Sequence, residues 1–225
     1  MWHVLIDPGH GRETPGKRSP AATAGLLDDP LCFFEYASNR ELAGMAGSLL
    51  TFQGIDVHIL VPEEWDVPLK ERTRRVNEYC RKWGVDHTLL LSIHTNAAKS
   101  GKVWTDARGW CAFTSPGKTK ADLLATEMYK LALVEFYDPN REYIHTFYLG
   151  GAQKPVRCDW SDGDEDKEAC FWMLTQTNCP AVLVENFFQD NKLDVAYLKS
   201  DKGKGSCAYV MSEGILNYIA KYGTK

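Results

Sequence analysis

A chain of 225 residues, 44% hydrophobic and 25% charged, has an ordinary globular composition and is long enough to bury a sizeable core as one domain. A net charge of −4 and a pI of about 5.9 argue against nucleic acid as the main partner. No run of roughly 18 apolar residues is present, so no transmembrane helix is expected.

The chain opens directly on Met1-Trp2-His3-Val4-Leu5-Ile6. This already reads as a strand, with no charged region, apolar stretch and small-residue cleavage site ahead of it. No signal peptide is therefore expected, although a secreted protein trimmed of its leader would look the same. The seven cysteines (32, 80, 111, 158, 170, 179 and 207) are scattered and odd in number, without a CxxC pair. Free thiols are the default reading, and the spacing matches no closed zinc site.

Residues 2–6 form the first predicted strand, and Asp7-Pro8-Gly9-His10-Gly11 follows at once. Glycine and proline force a tight turn there and let the backbone approach a ligand closely. Asp7 could fix the tautomer of a nearby imidazole, as a supporting carboxylate does at metal sites. Residues 12–34 hold three prolines and two glycines and read as a long binding or surface loop. Its Lys17 and Arg18 could hold an anionic substrate group, or could be solvated surface residues.

A helix is expected over 36–52, with Leu42, Met45, Leu49 and Phe52 inward and Glu35 just before it, either as a dipole-favoured cap or as a metal ligand. Strand two is expected over 55–61 after Gly54. A helix over 69–83 follows, its inward stripe Leu69, Arg72, Val76, Tyr79 and Trp83. Strand three, 87–94, contains Leu89-Leu90-Leu91-Ser92-Ile93-His94. Four of the five residues before that histidine are aliphatic and do not alternate with polar ones, the pattern of a central strand buried on both faces. His94-Thr95-Asn96 then falls where ligands bind in open α/β sheets, at the carboxyl end of a strand. Taken alone, His94 reads equally as a strand-capping residue bonded to backbone. The strand–helix alternation indicates a parallel sheet.

Further elements are expected over 103–114 (an interrupted strand), 119–136 (a helix), 164–177 (a helix with an acidic first turn), 180–185 (the last strand) and 206–221 (a terminal helix with Met211, Ile215, Tyr218 and Ile219 inward). Residues 137–163 are irregular and aromatic, with Tyr143, Phe147, Tyr148 and Trp160 as a cleft wall and Arg157 as a substrate contact. No repeat, low-complexity tract or linker divides the chain, so 1–225 reads as one domain.

Three strand ends thus carry a ligand or acid/base group, His10, His94 and Glu185, and Glu35 starts the first helix. Parallel strands present their carboxyl ends on one edge, so residues far apart in sequence can converge. Two histidines and a carboxylate form a common catalytic zinc set. Zinc supplies hydroxide near neutral pH, and a second carboxylate can carry the proton to a leaving amine. These residue types fit metal-assisted amide hydrolysis, although no HExxH helix anchors the spacing.

Five motifs carry a resemblance. They are Ile6-Asp7-Pro8-Gly9-His10-Gly11; Glu35 followed by Asn39 and Leu42-Ala43; Leu69 with Arg72 and Asn77; Ser92-Ile93-His94-Thr95-Asn96; and Pro180-Ala181-Val182-Leu183-Val184-Glu185. In this order, over most of the chain to about Leu198, they resemble the zinc-dependent N-acetylmuramoyl-L-alanine amidases, the catalytic domains of bacterial autolysins and phage endolysins. The resemblance implies a single three-layer α/β domain, phosphorylase/hydrolase-like, whose twisted, mainly parallel sheet is flanked by helices on both faces. It implies one Zn2+ held by His10, Glu35 and His94, with Glu185 as general base and then acid, and Asn39 favours Glu35 over Glu41 as the carboxylate ligand. Peptidoglycan or a muropeptide is the implied substrate, cut between the muramic lactyl group and L-alanine, with Lys17, Arg18, Asn96 and Arg157 as candidate contacts and a monomer as the working form. Action would be on the cell wall, after holin-type release or as a trimmed secreted protein. Arg12-Glu13-Thr14-Pro15 replaces the family's usual glycine and aspartate, and Asn186 stands where glycine is common. These departures bear on the substrate pocket rather than on the metal. Two other readings are a non-catalytic peptidoglycan-binding module and a zinc peptidase acting on the stem peptide.

Overall fold

The apolar runs of the sequence become the middle of one sheet. The structure, a computed structural model, describes residues 1–136 and 155–223. Within these, the strands are β1 (His3–Pro8), β2 (Asp56–Ile59), β3 (Thr88–Asn96), β4 (Cys111–Thr114), β5 (Lys167–Glu168) and β6 (Ala181–Phe188). Their spatial order is β2-β1-β3-β6-β4-β5. β2, β1, β3 and β6 are mutually parallel, whereas β4 runs antiparallel to β6 and carries β5 parallel to itself. Neighbouring parallel strands need a crossover connection. Two of these are helices α2 (Glu35–Phe52), between β1 and β2, and α3 (Leu69–Trp83), between β2 and β3; a single turn, α1 (Pro20–Thr23), precedes them.

Side-chain alternation divides the sheet into two cores. Val4, Ile6, Leu89, Leu91, Ile93, Val182 and Val184 face one side. There they meet α2, α4 (Lys120–Glu135) and the terminal helix, which with the two short helices before it is numbered α5 (Trp172–Thr175), α6 (Lys192–Lys199) and α7 (Asp201–Tyr222). Leu5, Leu90 and Leu183 face the other side, against Val76 and Cys80 of α3 and Met173 and Leu174 of α5. β3 is therefore buried on both faces, as its unbroken aliphatic run requires. Thr119 and Asp122 close a capping box at the start of α4, and Ser200 caps α7. All seven cysteines are free thiols. Among the described helices, none is long and apolar enough to cross a membrane.

Several expectations are corrected. α2 buries Leu42, Ala43, Ala46, Gly47 and Leu50, not the stripe through Leu49 and Phe52; Phe52 is 88% exposed. The helix is turned because its small residues permit close approach to the sheet. A Cβ on Gly47 would already touch Val57 and Ile6 at 3.5 and 3.6 Å. Leu69 likewise opens α3 on the exposed side. β3 and β6 do not stop at His94 and Glu185 but run on to Asn96 and Phe188, with a register shift beyond His94. Residues 103–110 are not strand, and 164–171 are not helix. There the Asp166 carboxylate instead accepts a hydrogen bond from Thr114 Oγ1 at 2.6 Å, and Lys167 and Glu168 pair with Phe113 and Thr114. The 12–34 loop contains α1, capped by Ser19, whose hydroxyl also bonds to Leu31 and Phe33. The expected wall residues Tyr143, Phe147 and Tyr148 lie outside the described residues; Trp160 is exposed.

Candidate metal centre

The turn after β1 brings His10 back over the sheet. Gly9 donates its N–H to the Ile93 carbonyl at 2.9 Å, and a Cβ on Gly9 would overlap the His94 ring. Glycine is thus required where the turn crosses β3. His10 takes a φ of 63°, a left-handed conformation that histidine adopts more readily than most residues. α2 fixes the turn from above. Asn39 Nδ2 donates to the Gly9 carbonyl at 3.2 Å and Arg40 Nη1 to the His10 carbonyl at 3.0 Å.

Glu35 is the first residue of α2 and is fully buried. Its Oε1 lies 3.4 Å from His10 Nε2 and 3.3 Å from His94 Nδ1, and it accepts the Thr95 N–H at 3.1 Å. The two imidazole rings stand 4.8 Å apart, edge to face. Zinc–nitrogen and zinc–oxygen bonds of about 2.0–2.1 Å place tetrahedral ligands roughly 3.3 Å apart, so both edges to Glu35 have the length a zinc site needs, and all three donors lie within 4.8 Å of one another. Glu35 Oε2 is buried and accepts no hydrogen bond, although Lys17 Nζ approaches to 3.8 Å. Two imidazole nitrogens and a carboxylate fit zinc.

The charge states of His10 and Glu35 suit the same role. Burial, reinforced by His94 and opposed by Glu35, lowers the His10 pKa to about 4, leaving a neutral imidazole with a lone pair at pH 7. Burial of Glu35 is outweighed by its bond to His94 and by the nearby charge of Lys17, and its pKa is lowered. For His94, burial is overcome by the bond to Glu35 and the charge of Glu185, and the pKa rises. Glu185 stands directly opposite His94 in the β3–β6 register and opposite Cys111 of β4. Its Oε2 is shielded from solvent and lacks a hydrogen-bond partner, and burial pushes the carboxyl up to about 7.

The remaining candidates divide. Asp7 is buried, but its oxygens accept from Arg72 Nη1 at 2.7 Å and Ser92 Oγ at 2.8 Å, not from either imidazole. It acts beneath the turn instead of fixing a ring tautomer. Lys17 reaches the centre. Arg18 does not, because its guanidinium braces the loop through the Arg12 and Thr14 carbonyls and lies over Phe34. Asn96 lies beside the Cys111 thiol, with its Oδ1 capping Ala97 N–H. Arg157 donates to the Arg108 carbonyl and lies over the Phe188 ring, at the β6 end of the site. Sequence reasoning gave no role in the site to Arg72 or Arg40. The available signals were the place of Arg72 on the inward stripe of α3 and in the motif it forms with Leu69 and Asn77.

A mainly parallel α/β sheet thus gathers two histidines and a carboxylate into a candidate metal centre, with a second carboxylate opposite. The chain belongs to the N-acetylmuramoyl-L-alanine amidase family, whose profile matches residues 4–217. It is similar to the N-acetylmuramoyl-L-alanine amidase CwlM of Bacillus licheniformis, with 28% identity over 200 residues, 89% of this chain and 62% of that protein. It is also similar to the endolysin of Bacillus phage SPP1, with 28% identity over 218 residues, 96% of this chain and 65% of that protein. The chain thus spans less than two thirds of these two curated relatives. The crystal structure of N-acetylmuramoyl-L-alanine amidase from Clostridium difficile 630 has the same fold, with a TM-score of 0.74 at 22% identity over 99% of this chain and 98% of that one.

Proposed function

We infer that the chain hydrolyses the amide between the lactyl group of N-acetylmuramic acid and L-alanine in peptidoglycan, using one zinc ion held by His10, Glu35 and His94. The observation that carries this reading is the approach of both imidazoles to one Glu35 oxygen, at 3.4 and 3.3 Å, in a member of this family. Held by these three residues, zinc would supply Lewis-acid polarisation of the scissile carbonyl and a water nucleophilic near neutral pH.

Glu185 takes the proton from the attacking water as the new C–O bond forms. It returns that proton to the amide nitrogen as the C–N bond breaks, leaving a carboxylate on the sugar side and a free alanine amine. Lys17, about a third exposed and 3.8 Å from Glu35, holds an anionic group of the substrate. Asn96, beside Cys111 of β4, and Arg157, over Phe188 of β6, would be further substrate contacts. With peptidoglycan as substrate, the place of action is the cell wall.

A dye-release assay on purified peptidoglycan tests the proposal. Release is expected to fall to background with a zinc chelator and to return on adding zinc. Release that persists in chelator overturns the metal-assisted reading, and none under any condition leaves a binding module. Gly9→Ala supplies a separate expectation. Its methyl group would displace the His94 ring, so zinc affinity is expected to drop about 10- to 100-fold, the range for lost support around a metal. Competition with a chromophoric chelator measures it, and unchanged affinity would show that the turn yields without moving the ligand.

A further inference from the structure

Among the described residues, three potential metal-binding side chains converge in a second place, and the hydrolytic reading makes no use of it. We propose that His3, Asp56 and His58 form a second metal site, for one zinc-like divalent ion, at the opposite end of the sheet from the hydrolytic centre.

The strand register builds the site. His3 begins β1 and pairs with Asp56, which begins β2, and His58 lies two residues further along β2, so all three project from one face of two parallel strands. His3 Nδ1 is 2.8 Å from Asp56 Oδ2, and His58 Nε2 is 3.0 Å from the same oxygen. The donor set, two imidazole nitrogens around one carboxylate oxygen, repeats that of His10, Glu35 and His94. All the donor atoms lie within 4.8 Å of one another. Expansion by roughly 0.3–0.5 Å would give the edges of a tetrahedral zinc site.

Two further observations separate this arrangement from an ordinary hydrogen-bonded bridge. His58 Nε2 is shielded from solvent and lies against the same Asp56 oxygen that His3 meets, so two ring nitrogens crowd one carboxylate oxygen as ligands around an ion do. Both rings are also held in place before any ion arrives. His3 stacks on Trp83 at 4.1 Å and 7°, and His58 packs against Trp83 at 4.8 Å and Tyr79 at 5.3 Å. Such preorganisation reduces the ordering cost of binding. Side-chain exposures of 12%, 37% and 33% for His3, Asp56 and His58 keep the cluster partly open to solvent.

β1 spans six residues, so His3 and the turn that carries His10 are separated by about 17 Å at roughly 3.3 Å per residue, and the two sites bind independently. β2 is a four-residue edge strand. An ion here ties it to β1, which makes the site a stabilising one.

Zinc uptake by the metal-free full chain, followed by equilibrium dialysis and elemental analysis, tests this. Wild type is expected to bind two equivalents, His94→Ala one, His58→Gln one and the double variant none. Zinc is expected to raise the thermal midpoint of His94→Ala but not of the double variant. His3→Gln serves in the same role if His58→Gln does not fold. Equal uptake by wild type and by the folded His58→Gln or His3→Gln overturns the proposal, as does an absence of zinc from His94→Ala. If the hydrolytic centre alone were misread, His58→Gln would remove all bound zinc and His94→Ala none.

Discussion

Glu185→Gln is expected to lose peptidoglycan hydrolysis by roughly 10²- to 10⁴-fold, the usual contribution of a positioned acid–base group, while folding and zinc content stay unchanged. The substitution keeps the shape of the side chain and removes its ability to accept a proton. The backbone at Glu185 is paired with His94 on one side and Cys111 on the other, so the register that positions residue 185 does not depend on the carboxylate. Turnover and bound zinc should be measured on the same sample. Near-wild-type turnover would remove Glu185 from proton transfer, and loss of zinc would make it a ligand instead.

The second large effect is on stability. Arg72 and Asp7 are both buried and joined at 2.7 Å. Arg72 also donates to the Val67 and Pro8 carbonyls at 2.8 and 2.9 Å. Arg72→Met leaves the Asp7 carboxylate in the core with Ser92 as its remaining side-chain donor, and breaking such a pair costs about 3–5 kcal/mol. At about 2–4 °C per kcal/mol for a domain of this size, the thermal midpoint falls by roughly 6–20 °C. Removing both charges, as Asp7→Leu with Arg72→Met, is expected to recover most of the loss, because no uncompensated charge then remains. Urea denaturation of the three proteins measures this. A single-variant loss below about 1 kcal/mol would mean the pair behaves like an exposed one. Because Arg72 also holds the Pro8 carbonyl, one residue before the turn that carries His10, the single variant should bind zinc more weakly as well.

The parts of the fold legible in the sequence are those where one local pattern decides the outcome. The unbroken aliphatic run at 89–93 identifies the central strand, and the glycine-rich turn after β1 identifies a close backbone approach. His10, His94 and Glu185 can be associated from the sequence because parallel strands end on one edge, whereas Glu35, at a helix start, joins the ligand set through the family resemblance. The rest depends on partners distant in sequence. The face that α2 buries is set by how near Ala43, Ala46 and Gly47 let it come to the sheet, and helical periodicity of large residues pointed to the wrong side. The antiparallel course of β4 is fixed by pairing with β6 about 70 residues on, which periodicity does not encode. Asp7 was read beside a histidine because His10 is near in sequence, but its partner Arg72 comes 65 residues later. The acidic first turn at 164–166 reads as a helix start, whereas Asp166 is taken by Thr114 from another strand.

The most direct measurement is identification by mass of the fragments released from purified peptidoglycan by the zinc-loaded chain. The account predicts stem peptides beginning with a free L-alanine amine, glycan strands left uncut, and neither product after chelation until zinc is restored. Cuts within the stem peptide, or cleaved sugar linkages, would contradict it.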